Sequence, residues 1–266
     1  MIQLGVNTVL FAGTDFKTAA QAIKWAGYDA MEISAIEGMC EHLCLDTWKQ
    51  DAAEIKAVSE DLQLPITAME EATLDETRLM MAFEASAEIG IPVVNVGPGG
   101  SKDIPEDLPR VIDMLAKMAE KAQPFGVVLC VKAHVEASIW NTASTLEAMS
   151  KIDSPAFGID MDPSHIHRGG EIPKDALQQV IARVRHIHIR DCAGPGPPPG
   201  PPELQACGRG SIDLWGYCTT MAEAGYDGPV NLEVIGANEY PTERCAIIAA
   251  ESYGYLNACL QGCDAR

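Results

Sequence analysis

Short apolar runs alternate with amphipathic segments eight times along the chain. The apolar runs predict buried strands, whereas the segments between them repeat apolar residues at the spacing of one helix face. Strict alternation of strands and helices predicts a parallel sheet, and eight repeats predict that this sheet closes into a barrel. The predicted strands cover residues 3–8, 30–33, 66–70, 93–97, 127–134, 157–162, 186–191 and 230–234. The predicted helices cover residues 16–26, 47–62, 75–89, 106–122, 143–152, 173–183, 214–223 and 241–260.

The pattern therefore predicts an α/β fold, a single (β/α)8 TIM barrel formed by residues 1–266. A chain of 266 residues with 47% hydrophobic residues suits this fold, since such barrels contain about 250 residues. A doubly wound open sheet is the alternative, but it usually carries a glycine-rich turn after its first strand. The turn here, FAGTD, lacks the GxGxxG pattern of dinucleotide-binding proteins.

One segment interrupts the repeat: GPGPPPGPP, residues 194–202, directly after the seventh predicted strand. Proline disfavours both helix and sheet and favours extended backbone, so we expect a long loop on the rim of the barrel. The loop is either a rigid spacer or a segment that covers a substrate or contacts a partner.

Charge and cysteine content limit the partners and the cellular location. The formal net charge of −19 argues against a nucleic-acid partner, because phosphate backbones are bound by surplus Lys and Arg. No stretch reaches the roughly 18 uncharged apolar residues that would predict a membrane span. Nine cysteines, an odd number, without an apparent export signal indicate reduced thiols and a cytoplasmic location.

Polar side chains stand near the carboxyl end of every predicted strand, where the loops of a barrel build its functional site. A barrel core that only packs would not need them, because burying an unpaired charge costs several kcal/mol. Three of them, Asp162, His188 and Glu233, are ligand types that bind divalent cations, and we predict that they converge on one ion. The inward-facing set is Asn7, Glu32, Glu70, Asn95, Lys132, His134, Asp162, His188, Arg190 and Glu233.

Five motifs follow one another at the expected strand ends. They are the glutamate in YDAMEIS, the D-x-x-H of Asp162 and His165, the H-x-x-D of His188 and Asp191, the segment GRGSIDL and the glutamate in GPVNLEV. In this order they resemble the xylose-isomerase-like barrels, the sugar phosphate isomerase/epimerase family. The resemblance covers the chain from LGVNT to LEVIG. It implies a divalent metal ion, Mn2+ before Mg2+, Co2+ or Zn2+, held by a glutamate, an aspartate, a histidine and a second glutamate on strands five to eight.

The fifth strand departs from this pattern. Asp162, His188 and Glu233 match the last three ligands, but Lys132 stands where the resemblance implies a glutamate. A protonated ammonium cannot bind a cation. We expect His134, two residues further along the same side, to replace the missing ligand, and Glu136 is the alternative. Lys132 would then pair with Glu32, with Glu70 or with a substrate oxygen.

The resemblance implies an isomerase or epimerase that acts on a ketose or related sugar through an enolate. In the family's epimerases two metal-bound glutamates share the proton transfer, and here only Glu233 keeps that place. Its partner would be Lys132, His134, His165 or an upstream glutamate. The loss also favours an alternative, a metal-dependent lyase or dehydratase acting on a keto-sugar or 3-keto-glycoside. A noncatalytic carbohydrate-binding barrel is the third possibility.

These arguments predict three groups of residues and one class of partner. A small-molecule carbohydrate is the expected partner, and a homo-oligomer stays open because barrels of this kind often pair. The predicted catalytic residues are Glu233, His165, Lys132 and Glu32; the predicted substrate-binding residues are Arg190, Arg209, Glu70 and Asn7; and the predicted metal ligands are His134, Asp162, His188 and Glu233.

Overall fold

Eight parallel strands form a closed ring in the computed structural model, which describes residues 1–196 and 198–266. The ring closes because β1 pairs in parallel with both β2 and β9. A two-residue strand, β3, pairs antiparallel with the end of β2 and lies outside the ring. The predicted (β/α)8 barrel is thus confirmed. The strands are β1 (Gln3–Asn7), β2 (Ala30–Ile36), β3 (Cys40–Glu41), β4 (Ile66–Ala72), β5 (Val93–Val96), β6 (Val128–Lys132), β7 (Phe157–Asp160), β8 (Val184–Ile189) and β9 (Pro229–Leu232).

Helices follow the barrel strands, and polar residues begin several of them. The side chains of Asp15, Asp75, Asn141 and Asp213 each accept a hydrogen bond from a backbone N–H of the first helical turn. Gly90 ends α3 in the left-handed region, with φ of 94°. The helices are α1 (Phe16–Trp25), α2 (Trp48–Leu62), α3 (Glu76–Ile89), α4 (Asp107–Ala122), α5 (Thr142–Lys151), α6 (Pro163–Arg168), α7 (Pro173–Val180), α8 (Pro202–Gln205), α9 (Leu214–Glu223) and α10 (Thr242–Gly262).

The sequence pattern did not predict α6 or α8, which are both short. The predicted sixth strand, residues 157–162, ends two residues early at Asp160. Pro163 is the first residue of α6, where its missing N–H and fixed φ are tolerated, and the side chain of Asp162 accepts from Ser164 N at 2.7 Å. Asp162 is therefore a helix cap and not the last residue of a strand.

The strand register brings polar residues of neighbouring strands to the same level of the barrel. Asn7 lies opposite Glu32, and Glu70 lies opposite Asn95. Lys132 lies opposite Asp160, which in turn lies opposite His186. His188 lies opposite Asn231. The polar positions thus form a continuous band around the inside of the barrel, above a core of apolar side chains.

The proline-rich segment follows β8 as a loop that ends at α8. Ala193 N donates to Pro199 O, and Gly196 N donates to Arg168 O, so the loop folds back on itself and against α6. Pro197 of this predicted loop lies outside the described residues. No helix within residues 1–196 or 198–266 has both the length and the hydropathy needed to cross a bilayer.

Candidate functional site

A cavity of about 260 Å³ opens at the carboxyl ends of the barrel strands. Apolar residues of the loops and seven buried or half-buried polar side chains line it: Glu70, Lys132, His134, His165, Arg168, Arg190 and Glu233. A larger hollow of about 600 Å³ lies outside the barrel along α2, but its polar residues, such as Lys56 and Glu88, are surface groups. The convergence of buried ionisable groups therefore places the candidate site at the mouth of the barrel.

Lys132 occupies the centre of this site. Its Nζ lies 3.0 Å from Oε1 of Glu70, 2.8 Å from Oε1 of Glu233 and 3.2 Å from Nδ1 of His188. Burial lowers the pKa of Lys132, but the negative charges of Glu233 and Glu70 outweigh it and raise that pKa well above its ordinary value. Lys132 is therefore a buried ammonium. Of the pairings expected from the sequence, the structure has the one with Glu70.

The two carboxylates beside Lys132 differ in their surroundings. Burial, together with the charge of Glu233, raises the pKa of Glu70 to about 7, against the opposing effect of Lys132. Oε2 of Glu70 also accepts from Asn7 Nδ2 at 2.6 Å. Burial would raise the pKa of Glu233 too, but Lys132 and Arg190 together hold it well below its ordinary value. Near neutral pH Glu233 is ionised while Glu70 can carry a proton, so one can act as a base and the other as an acid.

Arg190 connects Glu233 with α6. Its Nη1 lies 3.2 Å from Oε2 of Glu233, its Nη2 lies 3.3 Å from Oδ2 of Asp162, and its Nε donates to Ser164 Oγ at 2.8 Å. Its Nη2 also lies 3.0 Å from Nε2 of His165. The guanidinium holds the wall of the cavity in place and carries a second positive charge there.

His165 and His134 form one wall of the cavity, with ring centroids 4.1 Å apart. The backbone N–H of Val135 donates to Nδ1 of His165 at 3.2 Å. Burial, followed by the charge of Arg190, lowers the pKa of His165 well below its ordinary value. Burial and Lys132 also lower the pKa of His134. Both rings are thus neutral and can offer hydrogen bonds to hydroxyl groups.

A second group of charged residues, all fully buried, lies beside these side chains and does not line the cavity. We call Glu32, Asp160, His186 and His188 the lower cluster, and Glu70, Lys132, Arg190 and Glu233 the mouth cluster. Within the lower cluster, Nε2 of His188 lies 2.5 Å from Oε2 of Glu32, and its Nδ1 lies 2.6 Å from Oδ2 of Asp160.

The charge on His188 follows from these contacts. Burial lowers the pKa of His188, but Asp160 and Glu32 outweigh burial and raise it well above the ordinary value. The imidazolium then has a carboxylate at each ring nitrogen. Since an imidazolium has no acceptor nitrogen, the 3.2 Å approach of Lys132 Nζ to Nδ1 is not a hydrogen bond. One N–H of Lys132 is thereby left for a substrate oxygen.

Two sets of donor atoms in the described residues have the type and spacing that suit a divalent metal. They are Glu32, His186 and His188, and Glu70, His188 and Glu233; in each set the atoms lie within 4.8 Å of one another. The second set surrounds Lys132 Nζ, and a metal ion does not fit there beside the ammonium. In the first set, Glu32 accepts from Asn95 Nδ2 at 2.7 Å, and His186 lies between Asp160 and Asn231 at 2.9 and 2.7 Å.

The predicted metal ligands are only partly brought together. His188 and Glu233 belong to one of these sets, whereas His134 and Asp162 belong to neither. Asp162 caps α6 and faces Arg190, because Pro163 turns the chain into a helix directly after it. Nδ1 of His134 lies 3.0 Å from Val135 O, so its ring is held against the backbone of its own loop. Glu70, which was predicted to bind substrate, takes the place of these two residues.

Three other residues that were predicted to contact the substrate do not line the cavity. Arg209 is exposed and pairs with Glu251 of α10, outside the cavity, because the GRG segment turns outward. Glu32 is fully buried in the lower cluster and cannot reach a substrate in the cavity. Asn7 also lies beneath the cavity, where it positions Glu70 and caps the short 3-10 helix that follows β1.

The sequence reasoning missed Asp160, His186 and Gln205. The first two could have been found from strand alternation, since Asp160 lies two residues before Asp162 and His186 two residues before His188. Gln205 of α8 is buried, and its side chain bonds both backbone groups of Ile235 and the carbonyl of Gly200, which ties the proline-rich loop to the barrel. No sequence pattern indicates this contact.

Comparison with known proteins gives several matches. The xylose isomerase-like TIM barrel family profile matches residues 20–253. An inosose isomerase from Halalkalibacterium halodurans is 23% identical over 229 residues, 80% of each chain. A 3-dehydroshikimate dehydratase from Bacillus anthracis is 22% identical over 148 residues, 55% of this chain and 53% of that protein. The solved structure of the IOLI protein with a bound zinc atom has a TM-score of 0.80 at 18% identity, over 97% of this chain and 99% of that one. Other matched structures include sugar 3-epimerases.

Proposed function

Since the chain belongs to the xylose isomerase-like TIM barrel family, we propose that it is an isomerase or epimerase acting on a small ketose or related keto-sugar. The observation that carries this proposal is the pair of carboxylates, Glu70 and Glu233, that flank one ammonium within a buried cavity. Epimerisation needs a base on one side of the reacting carbon and an acid on the other. The isomerase and epimerases among the matched proteins support the same chemistry.

The reaction begins with removal of a proton from the carbon next to the carbonyl. The ionised carboxylate of Glu233 takes this proton, and the electron pair moves onto the carbonyl oxygen to give an enolate. The free N–H of Lys132 donates to that oxygen and stabilises its negative charge, which is worth several kcal/mol in a water-poor site. Protonated Glu70 then returns a proton to carbon from its own side, and the carbonyl forms again.

The walls of the cavity suit a substrate that carries several hydroxyl groups. Oε2 of Glu233, which lines the cavity, is buried, lies 3.2 Å from Nη1 of Arg190, and accepts no hydrogen bond from the described residues. A buried oxygen without a donor costs about 1–3 kcal/mol, and a substrate hydroxyl would supply that donor. The volume of about 260 Å³ is small for a binding site and favours a monosaccharide or cyclic ketone over an oligosaccharide.

The proposed reaction does not use the metal ion that the family resemblance implies. Mn2+, Mg2+, Co2+ or Zn2+ would supply the positive charge for the enolate if one were bound. The donor set of Glu70, His188 and Glu233 surrounds Lys132, however, and the ammonium already supplies that charge.

A dehydratase or lyase acting on a keto-sugar or 3-keto-glycoside is the second candidate. It would use the same first step, after which a protonated group donates to a departing oxygen. Glu70 has the pKa for that task, and His165 lines the same cavity. The dehydratase among the matched relatives supports this alternative.

A panel of ketoses, inososes and 3-keto-glycosides incubated in deuterated water separates these possibilities. An isomerase or epimerase incorporates one deuterium into an intact sugar, which NMR detects at a defined carbon. A dehydratase or lyase releases water or an aglycone and leaves an unsaturated ketone that absorbs in the ultraviolet. Binding without exchange or elimination for every compound would contradict both and leave a noncatalytic carbohydrate-binding barrel.

A further inference from the structure

We infer that the ammonium of Lys132 takes the place of the divalent metal in this barrel, so that the site works with a built-in cation. The inference deepens the proposed function, whose enolate needs a positive charge, and it rests on that function for its catalytic meaning. The assignment of the cation itself rests on geometry alone. It predicts a protein that neither needs nor binds a divalent ion at the mouth of the barrel.

The position of Nζ is the first argument. It lies 2.8–3.2 Å from one atom of Glu233, Glu70 and His188, and these are the residues whose donor atoms cluster as a metal site would require. Metal ions bind such donors at about 2.0–2.6 Å, so an ion shared by the three would have to overlap the ammonium. One position cannot hold both cations.

The route of the side chain is the second argument. Lys132 is the last residue of β6, where the resemblance implied a metal-binding glutamate, and its side chain is buried in the barrel mouth. From there it reaches Glu70 of β4 and Glu233, which directly follows β9. A lysine in place of a carboxylate at this strand end thus reverses the sign of the local charge and leaves the other donors with a partner.

The charge balance of the mouth cluster is the third argument. Without a cation between them, the buried carboxylates of Glu70 and Glu233 would repel each other. Lys132 meets one oxygen of each, while Arg190 meets the other oxygen of Glu233 and Asn7 the other oxygen of Glu70. A divalent ion added to this arrangement would be repelled by two cationic side chains.

The other set of donor atoms, from Glu32, His186 and His188, does not offer a second site for the metal ion. Oε1 of Glu32 accepts from Asn95, and its Oε2 accepts from His188. Nδ1 of His186 lies 2.9 Å from Asp160 and its Nε2 lies 2.7 Å from Asn231, so both ring nitrogens have partners. A metal there would have to break these buried contacts and displace a proton from His188.

The inference is tested by metal binding, which does not depend on turnover. Wild-type protein is compared with Lys132→Glu, which places a carboxylate at this strand end, and with Lys132→Met, which keeps length and removes charge. Each is purified with and without a chelator, analysed for metal by mass spectrometry, and titrated with Mn2+ and Zn2+ by calorimetry and thermal unfolding. Lys56→Glu, which makes the same charge change on the outer surface, is the control.

We expect wild-type protein and Lys56→Glu to hold far less than one ion per chain and to show no rise in Tm with metal. Lys132→Glu should bind about one ion per chain at least tenfold more tightly than wild type and gain thermal stability from it. Lys132→Met should bind more weakly than Lys132→Glu but above wild type. Should Lys132→Glu fail to fold, Lys132→Met and the wild-type titration decide the question.

Two results would overturn the inference. One is a stoichiometric ion in wild-type protein that is lost in Glu233→Gln, and the other is an absence of binding by wild type and both Lys132 variants, which would mean that this is not a cation position. The proposed function fails separately, if no compound exchanges deuterium or undergoes elimination. Activity that a chelator leaves unchanged would agree with both.

Discussion

The mouth cluster and the lower cluster both consist of buried charged residues on or directly after barrel strands, yet their surroundings differ. In the lower cluster each charged group faces a partner of the same cluster or a buried asparagine, and none of its residues lines the cavity at the barrel mouth. Glu233 in the mouth cluster and Asp160 in the lower cluster each have one carboxylate oxygen without a hydrogen-bond donor among the described residues, but only the four residues of the mouth cluster line the cavity. Buried charge by itself is therefore not a mark of function.

This difference indicates that the lower cluster stabilises the barrel, whereas the mouth cluster is available for chemistry. A buried ion pair costs desolvation and offsets that cost only when its charges lie close together, and the ion pairs of His186 with Asp160 and of His188 with Glu32 and Asp160 have N···O distances of 2.9, 2.5 and 2.6 Å. The lower cluster contacts the mouth cluster through His188, which lies next to Lys132. The mouth cluster leaves hydrogen-bonding capacity unused, and unused capacity next to a cavity is what a ligand needs.

The largest expected effect on activity comes from replacing Glu233, the proposed catalytic base in the mouth cluster. Glu233→Gln keeps the shape of the side chain and removes the negative charge that takes the proton, so kcat should fall by about 10²- to 10⁴-fold with a smaller change in KM. The measurement is deuterium exchange into the substrate that the panel identifies. Glu147→Gln, on the outer face of α5, is the control and should retain full activity. Retention of activity in Glu233→Gln would assign the base to another residue.

The next largest expected effect is a loss of folding stability when the lower cluster is mutated. Asp160→Asn leaves the His188 imidazolium with one buried carboxylate, and breaking such a pair costs about 3–5 kcal/mol of unfolding free energy. Urea unfolding followed by circular dichroism measures it. Activity per folded molecule should fall less than in Glu233→Gln. Unchanged stability with lost activity would show that the two clusters do not divide in this way.

The smallest expected effect is the pH dependence of the reaction. The pKa of Glu70 is raised to about 7, so Glu70 is protonated below that pH and loses its proton above it. Glu233 has a lowered pKa and stays ionised across this range. We expect kcat/KM to be level below about pH 6 and to fall about tenfold per pH unit above 7, in both reaction directions.

Glu70→Gln is the matching variant for this pH profile. It should lower kcat/KM and remove the decrease above pH 7, because glutamine does not titrate. A variant that keeps the decrease would assign it to another group, and a profile that rises through pH 7 would mean that ionised Glu70 is the active form.

Much of the fold followed from local pattern. The eight strands begin within about two residues of their predicted positions, since buried parallel strands need apolar runs and their crossover helices need a 3.6-residue repeat. Strand alternation also identified the inward-facing polar residues near the strand ends, including Glu70, Lys132 and Glu233. The short helices α6 and α8 were missed because they are too short to show a repeat.

Residue type and spacing determined the barrel, the band of polar residues inside it and the family to which the chain belongs. The tertiary structure decided which of these residues meet. Lys132 contacts Glu70 and Glu233 across 62 and 101 positions of sequence, and Arg209 turns outward to Glu251. These contacts depend on the lengths of side chains, on the closure of the ring, and on whether ion pairing between distant residues offsets the cost of removing their charges from water. A local sequence pattern carries none of that information.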